Sequence, residues 1–174
     1  MDFRALTADE IRCRVNTIND NGCTLLLYKD ARCDTKILDE PVGAENWQCR
    51  YYECKGNLFC SVGIKCGNEW VWKDNCGVES YAEKQKGEAS DSFKRACFNW
   101  GIGRELYTAP RIWIPSKYVE IKDNKGKKTT YDNFFVEKIV VDCGKITHLA
   151  IRRAERQGRP EQRVFLMMSE NKPC

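Results

Sequence analysis

The 174 residues hold a single histidine, His148, and none of the eleven cysteines is spaced C-x-x-C from another. A Cys/His zinc site therefore lacks ligands at a usable spacing. His148 sits in a strand-like stretch and reads as an edge side chain, because a catalytic imidazole needs partners. There is no Walker phosphate loop, no Gly-rich dinucleotide fingerprint and no G-x-S-x-G elbow. ATP-driven chemistry is excluded on that ground. Glu137 and Asp142 share one strand, a thin basis for a two-metal site. No apolar run approaches the roughly 18 residues of a membrane span, and the N-terminus carries no targeting pattern. The odd cysteine count, at positions suited to small core residues, reads as reduced, buried thiols in a cytoplasmic protein. The expectation is a protein that works by binding, without enzyme activity, metal, cofactor or membrane.

The length suits one domain with a real core. The net charge of +4 is unevenly spread. Residues 1–110 carry 15 Lys and Arg against 17 Asp and Glu, whereas residues 111–174 carry 14 against 8. A basic C-terminal third suits an anionic partner, and surface lysines in loops give the same count.

The organising stretch runs from Ser80 to Gly103. Ser80 and Glu83 form a capping box that predicts a helix from Tyr81, and Gly101 supplies its stop. Ala89, Phe93, Ala96, Cys97 and Trp100 fall on one buried stripe. Lys94, Arg95 and Phe98 fall roughly opposite, with Lys84 and Asp91 on the same side. An exposed aromatic one turn from two cations is what a single-stranded polynucleotide needs, since bases stack and phosphates pair. The plain alternative is a solvated face with Asp91 and Arg95 as an i,i+4 pair.

Elsewhere, Thr7 and Glu10 form a second capping box, and Ile11, Val15 and Ile18 read as the inward stripe of a short N-terminal helix. Cys23–Lys29 is a strand. Residues 30–45 are polar, with a short helical piece around Ile37 and Leu38. Strands at Trp47–Cys54, Leu58–Cys66 and Glu69–Val78, joined by tight turns, make an antiparallel meander for the helix to cover. Further strands are expected at 112–114, 118–122, 134–141, 145–152 and 164–168, with basic loops at 123–130 and 152–163. The fold class is α+β: a β-β-β-α core in residues 1–110, and a basic β-hairpin extension of the same domain in 111–174.

The run Lys84 to Gly101, K-Q-K-G-E-A-S-D-S-F-K-R-A-C-F-N-W-G, resembles the identifying helix of the Rad52/Rad22 single-strand annealing proteins. The match falls on Ala89, Asp91, Phe93, Lys94, Arg95, Ala96, Trp100 and Gly101. The resemblance spans about residues 23–105, including Tyr28 and Gly43–Trp47, and beyond 110 only the short phage-encoded members are generally similar. It implies a β-β-β-α core that assembles into rings or helical arrays and holds single-stranded DNA in an outer groove. It implies DNA-contacting roles for Lys94 and Arg95, with Lys86 and Tyr28 near the strand. Phe98 stands where the family can carry a third basic residue.

The resulting expectation is ATP-independent binding and annealing of single-stranded DNA in recombination and repair. The partners are the DNA, further copies of the chain and a single-strand binding protein, in a bacterial host carrying a phage or prophage. The site is Lys94, Arg95, Lys86, Lys84, Phe98 and Tyr28. Lys125, Lys127, Lys128, Arg152, Arg153 and Arg156 form a candidate second nucleic-acid site. The rivals are an RNA-binding or structural oligomeric module, and a metal-dependent nuclease working through Glu137 and Asp142.

Overall fold

The computed structural model describes residues 2–78 and 84–169, with the backbone alone for 84–86. The Ser80/Glu83 capping box and the predicted helix start at Tyr81 lie outside the described residues. The chain divides into two compact units, Met1–Arg4 with Asp30–Arg104, and Ala5–Lys29 with Glu105–Cys174.

The first unit opens with helix α1, Ala31–Val42, where the Asp30 carboxylate caps the backbone N–H groups of Arg32 and Cys33. A cap of this kind satisfies donors that the first turn leaves unpaired. Ile37 and Leu38 are fully buried, so the short helical piece read around them is a twelve-residue helix. Strands β1 (Arg12–Asn19) and β2 (Gly22–Tyr28) belong to the second unit. The meander is β3 (Trp47–Cys54), β4 (Asn57–Cys66) and β5 (Glu69–Cys76), antiparallel in that order. Helix α2, Lys84–Asn99, follows. Its Phe93, Ala96 and Cys97 are buried, as are Cys60, Val62 and Ile64 along the middle strand.

The second unit is a six-stranded antiparallel sheet. Its members are β1 (Arg12–Asn19), β2 (Gly22–Tyr28), β6 (Ile112–Pro115), β9 (Phe134–Asp142), β10 (Lys145–Arg153) and β11 (Gln162–Met168). They lie in the order β11-β10-β9-β1-β2-β6, and β7 (Lys122–Asn124) and β8 (Lys127–Thr129) form a separate hairpin.

The N-terminal helix is corrected. The Glu10 carboxylate does accept the Thr7 N–H at 3.0 Å, yet only one 3-10 turn, Ala8–Glu10, forms before β1. The pairing register of β1 with β2 shifts between Val15 and Thr17, a bulge with one extra residue. Ahead of the bulge the less exposed positions are Ile11, Cys13 and Val15, and after it Ile18. A strand whose alternation slips by one reproduces the 4-then-3 spacing of a helical stripe. The strand expected at 118–122 is also corrected. Residues 116–118 form a turn, and pairing begins at Lys122.

Among the described residues, Cys23, Cys60 and Cys97 are buried and Cys49, Cys54 and Cys66 exposed, none of the six in a disulfide. Cys143 is disulfide-bonded, against the expectation of reduced thiols throughout.

Ile64→Ala should leave a cavity beside α2 and lower unfolding stability by about 2–5 kcal/mol, read by urea titration, whereas Lys65→Ala at the exposed neighbouring position changes little. On the second unit's sheet, Glu137 accepts two hydrogen bonds from Arg163, at 2.6 and 2.8 Å, and pairs with Arg152 at 2.9 Å. These hydrogen bonds, Arg163's foremost, hold its carboxyl at about 2, below its ordinary 4.5. A carboxyl lowered on folding stabilises fully above its unfolded value, and the effect is lost as pH falls from there toward about 2. Carbon-13 NMR titration should place Glu137 near that value and show it rising in Arg163→Gln. An ordinary glutamate titration in the wild-type protein contradicts the network.

Candidate nucleic-acid interface

Helix α2 ends as its sequence demands. The Gly101 N–H donates to the Phe98 carbonyl and the Ile102 N–H to the Cys97 carbonyl, with Gly101 at φ +108° and Ile102 buried. This is the glycine-ended cap, in which a left-handed residue closes two bonds over the last turn. Cations also donate to the carbonyls at this end. The Lys73 ammonium donates to the Asn99 carbonyl at 3.0 Å and lies 4.4 Å from the Trp100 ring centroid. The Arg104 guanidinium donates to the carbonyls of Phe98 and Asn99, at 2.8 and 2.9 Å. Cations at a helix C-terminus oppose its partial negative charge.

Polar contacts also tie α2 along β4 and β5. The Glu88 carboxylate accepts the Leu58 N–H, the Trp100 indole N–H donates to the Val62 carbonyl at 2.9 Å, and Asn75 donates to the Arg95 carbonyl. The buried stripe and these contacts lie on the sheet side. Lys94, Arg95 and Phe98 are partly exposed.

The three differ in their commitments. Arg95 Nε donates to Asp91 Oδ2 at 2.7 Å, and the same oxygen accepts the Val78 N–H. The i,i+4 pair is thus present and holds the guanidinium along the helix, with 43% of the Arg95 side chain still exposed. Lys94 has no hydrogen bond or ion pair among the described residues. Phe98 is half-buried, and the Arg104 guanidinium stands 5.5 Å from its ring centroid. Arg104, a residue that the sequence marks only as the end of the helical region, thus places a cation beside Phe98. Lys84 and Lys86 lie in the first turn of α2, and their side chains fall outside the described residues.

Tyr28 lies in the second unit, at the end of β2, with its ring 41% exposed. The Arg14 guanidinium stands 5.9 Å from the ring centroid, and Arg12 pairs with Tyr28 across the strands. Both arginines are exposed and neither has a hydrogen bond or ion pair among the described residues. A helical reading of β1 hides them. Alternation of Arg12 and Arg14 with Cys13 and Val15 is the signal that could have found them.

The basic positions of the last third are mostly committed within the chain. Lys128 pairs with Asp20 at 2.8 Å and Asp123 at 3.4 Å, and these partners raise its pKa. Arg152 is held by Glu137 and Glu161. Arg153 is 2% exposed and donates to the Pro160 carbonyl, so it presents no surface cation. Arg156 stands over the Tyr131 ring at 5.2 Å. Lys125 and Lys127 are exposed at the β7–β8 hairpin, without hydrogen-bond or ion-pair partners among the described residues. Glu137, which a nuclease would need for metal, is engaged by two guanidinium groups. Among the described residues no group of three or more His, Cys, Asp or Glu side chains is placed to hold an ion.

No curated protein and no solved structure matches the chain. The family model described as Rad52/22 family double-strand break repair protein matches residues 28–126, more than half of the sequence and the whole of the meander and α2. The chain belongs to the Rad52/22 family of double-strand break repair proteins, and its work is in DNA repair and recombination.

Proposed function

We propose that the protein binds single-stranded DNA along the outward side of α2 and anneals complementary strands without ATP, as a ring or helical array of identical subunits. The observation that carries the reading is Lys94, a lysine with no internal partner among the described residues, beside an Arg95 whose guanidinium is steadied by Asp91. It stands on the helix that lies within the family match.

Annealing is opposed by phosphate repulsion and by hairpins within each strand. A row of cations neutralises the backbone and keeps it extended, and contacts to phosphate leave the base edges free to pair. One subunit offers few such contacts, so affinity comes from repetition round an assembly. In this reading Lys94 is the principal phosphate contact and Arg95 and Arg104 flank it. Lys84 and Lys86 extend the row toward the start of α2, and Phe98 backs Arg104 rather than stacking on a base. Tyr28, with Arg12 and Arg14, is a further strand contact. Lys125 and Lys127 are the members of the C-terminal basic set most open to a second strand. The proposed setting is the cytoplasm of a bacterial host, with the chain encoded by a phage or prophage and acting beside a single-strand binding protein.

Lys94→Ala should weaken binding of an oligo-dT by at least about tenfold, and Lys94→Ala with Arg95→Ala should abolish annealing while light scattering shows an unchanged particle mass. A hydrogen bond between a charged side chain and a phosphate is worth about 1.5–3 kcal/mol, and each substitution removes at least one. A double variant that anneals normally removes the assignment. Affinity should also fall steeply between low and moderate salt, because each phosphate contact releases counterions. A flat salt profile contradicts the phosphate contacts.

A further inference from the structure

The three-stranded sheet has a second face. In its register Arg50 pairs with Ser61, Tyr52 with Phe59, Gly63 with Trp72, and Ser61 with Asp74. Alternation puts these side chains on the side away from Cys60, Val62 and Ile64, which are the residues facing α2. Arg50 and Lys65 are exposed there, and Tyr52 is 41% exposed.

Two of the β3 residues on this face, Arg50 and Tyr52, are each backed by a ring. The Arg50 guanidinium lies 4.2 Å from the Trp72 ring centroid. Trp72 lies against the backbone at Gly63, where an added Cβ would meet three atoms of its indole at 2.6–2.7 Å. Only a residue without Cβ lets the ring settle so low. The Tyr52 ring is stacked on Phe59 at 5.4 Å and 18°, and its hydroxyl donates to Asp74 Oδ2 at 2.9 Å. Asp74 also accepts from Ser61, so the carboxylate on this face is spent on fixing the tyrosine.

The result is two flat surfaces at alternate positions of one strand, roughly 6.8 Å apart along it, both held in place before any ligand arrives. Arg50 has no hydrogen bond or ion pair among the described residues, so its donors are open. Lys65 is likewise without such a partner. Bases stack on tyrosine rings and on guanidinium planes, and the same guanidinium pairs with phosphate. Two open cations against one engaged carboxylate favour a polyanion, and set like charge against like if a second copy presents the same face.

We infer that Arg50 and Tyr52 form a second binding surface for single-stranded nucleic acid, on the side of the meander away from α2. It shares its ligand class with the function proposed above but none of its residues. A strand taken up here is held by stacking as much as by charge, so its binding is less sensitive to salt than binding at α2.

The test is photo-crosslinking of an iodouracil-substituted DNA oligonucleotide to the full-length protein, with the attached peptides read by mass spectrometry. The inference expects attachment at Tyr52, in the wild-type protein and equally in Lys94→Ala, and its loss in Arg50→Gln with Tyr52→Leu. That double variant should bind the oligonucleotide at least about tenfold more weakly at elevated salt, where stacking dominates, while its circular dichroism spectrum stays that of the wild-type protein. Arg50→Lys should recover only part of the loss, because it restores charge without a plane. Attachment confined to other segments, with full affinity in the double variant, overturns the inference. So does a change in particle mass at full affinity, which would assign the face to a second copy of the chain. Failure of the α2 reading is seen separately, as normal annealing by the variants at Lys94 and Arg95.

Discussion

Helix α2 is held to the three-stranded sheet by two unlike forces, and the placing of the Lys94 side depends on both. Phe93, Ala96 and Cys97 are buried on the same helix whose polar contacts run along β4 and β5. Burial of a side chain the size of phenylalanine is worth about 1.5–3 kcal/mol. That stripe fixes which side of the helix faces the sheet. Lys73 and Arg104 then donate to the carbonyls at its C-terminal end, where cations oppose the partial negative charge of the helix. The stripe alone would leave that end without its cations. The cations alone would leave the rotation of the helix undecided.

Charge in the chain is better judged by what it is bonded to than by its count. The last third is the basic part of the sequence, yet Arg152, Arg163, Lys128 and Arg159 are each paired with a carboxylate, and Arg153 is buried. Much of that charge is spent on holding the second unit together. Lys94, Arg50, Arg12 and Arg14 carry no such pair among the described residues. They sit in the part of the chain whose total charge is slightly negative. Local pairing, more than total charge, decides where a phosphate can land.

The meander and the α2 stripe are legible in the sequence because their signals are local. Tight turns at Lys55-Gly56 and Gly67-Asn68, the apolar Leu58, Cys60, Val62 and Ile64 at every second position, and Gly101 as a stop each act within a few residues. The N-terminal segment misleads because its decisive partner is distant in sequence. Ile11, Val15 and Ile18 keep helical spacing, and only pairing with β2 and β9 makes the stretch a bulged strand. Within the candidate site, Lys94 and the Asp91–Arg95 pair can be read from helix geometry. The roles of Arg104, Lys73 and Arg50 cannot. Each meets its partner through a chain reversal or across strands, so spacing along the sequence does not reveal it.

The most direct measurement is lysine acetylation footprinting of the assembled protein with and without a saturating oligo-dT, read residue by residue by mass spectrometry. The account predicts that Lys94 is modified readily in the free protein and protected by the oligonucleotide. Lys128, paired with Asp20 and Asp123, should react slowly in both. Equal modification of Lys94 in the two states, under conditions where the oligonucleotide is bound, would contradict the claim that this side of α2 holds the strand.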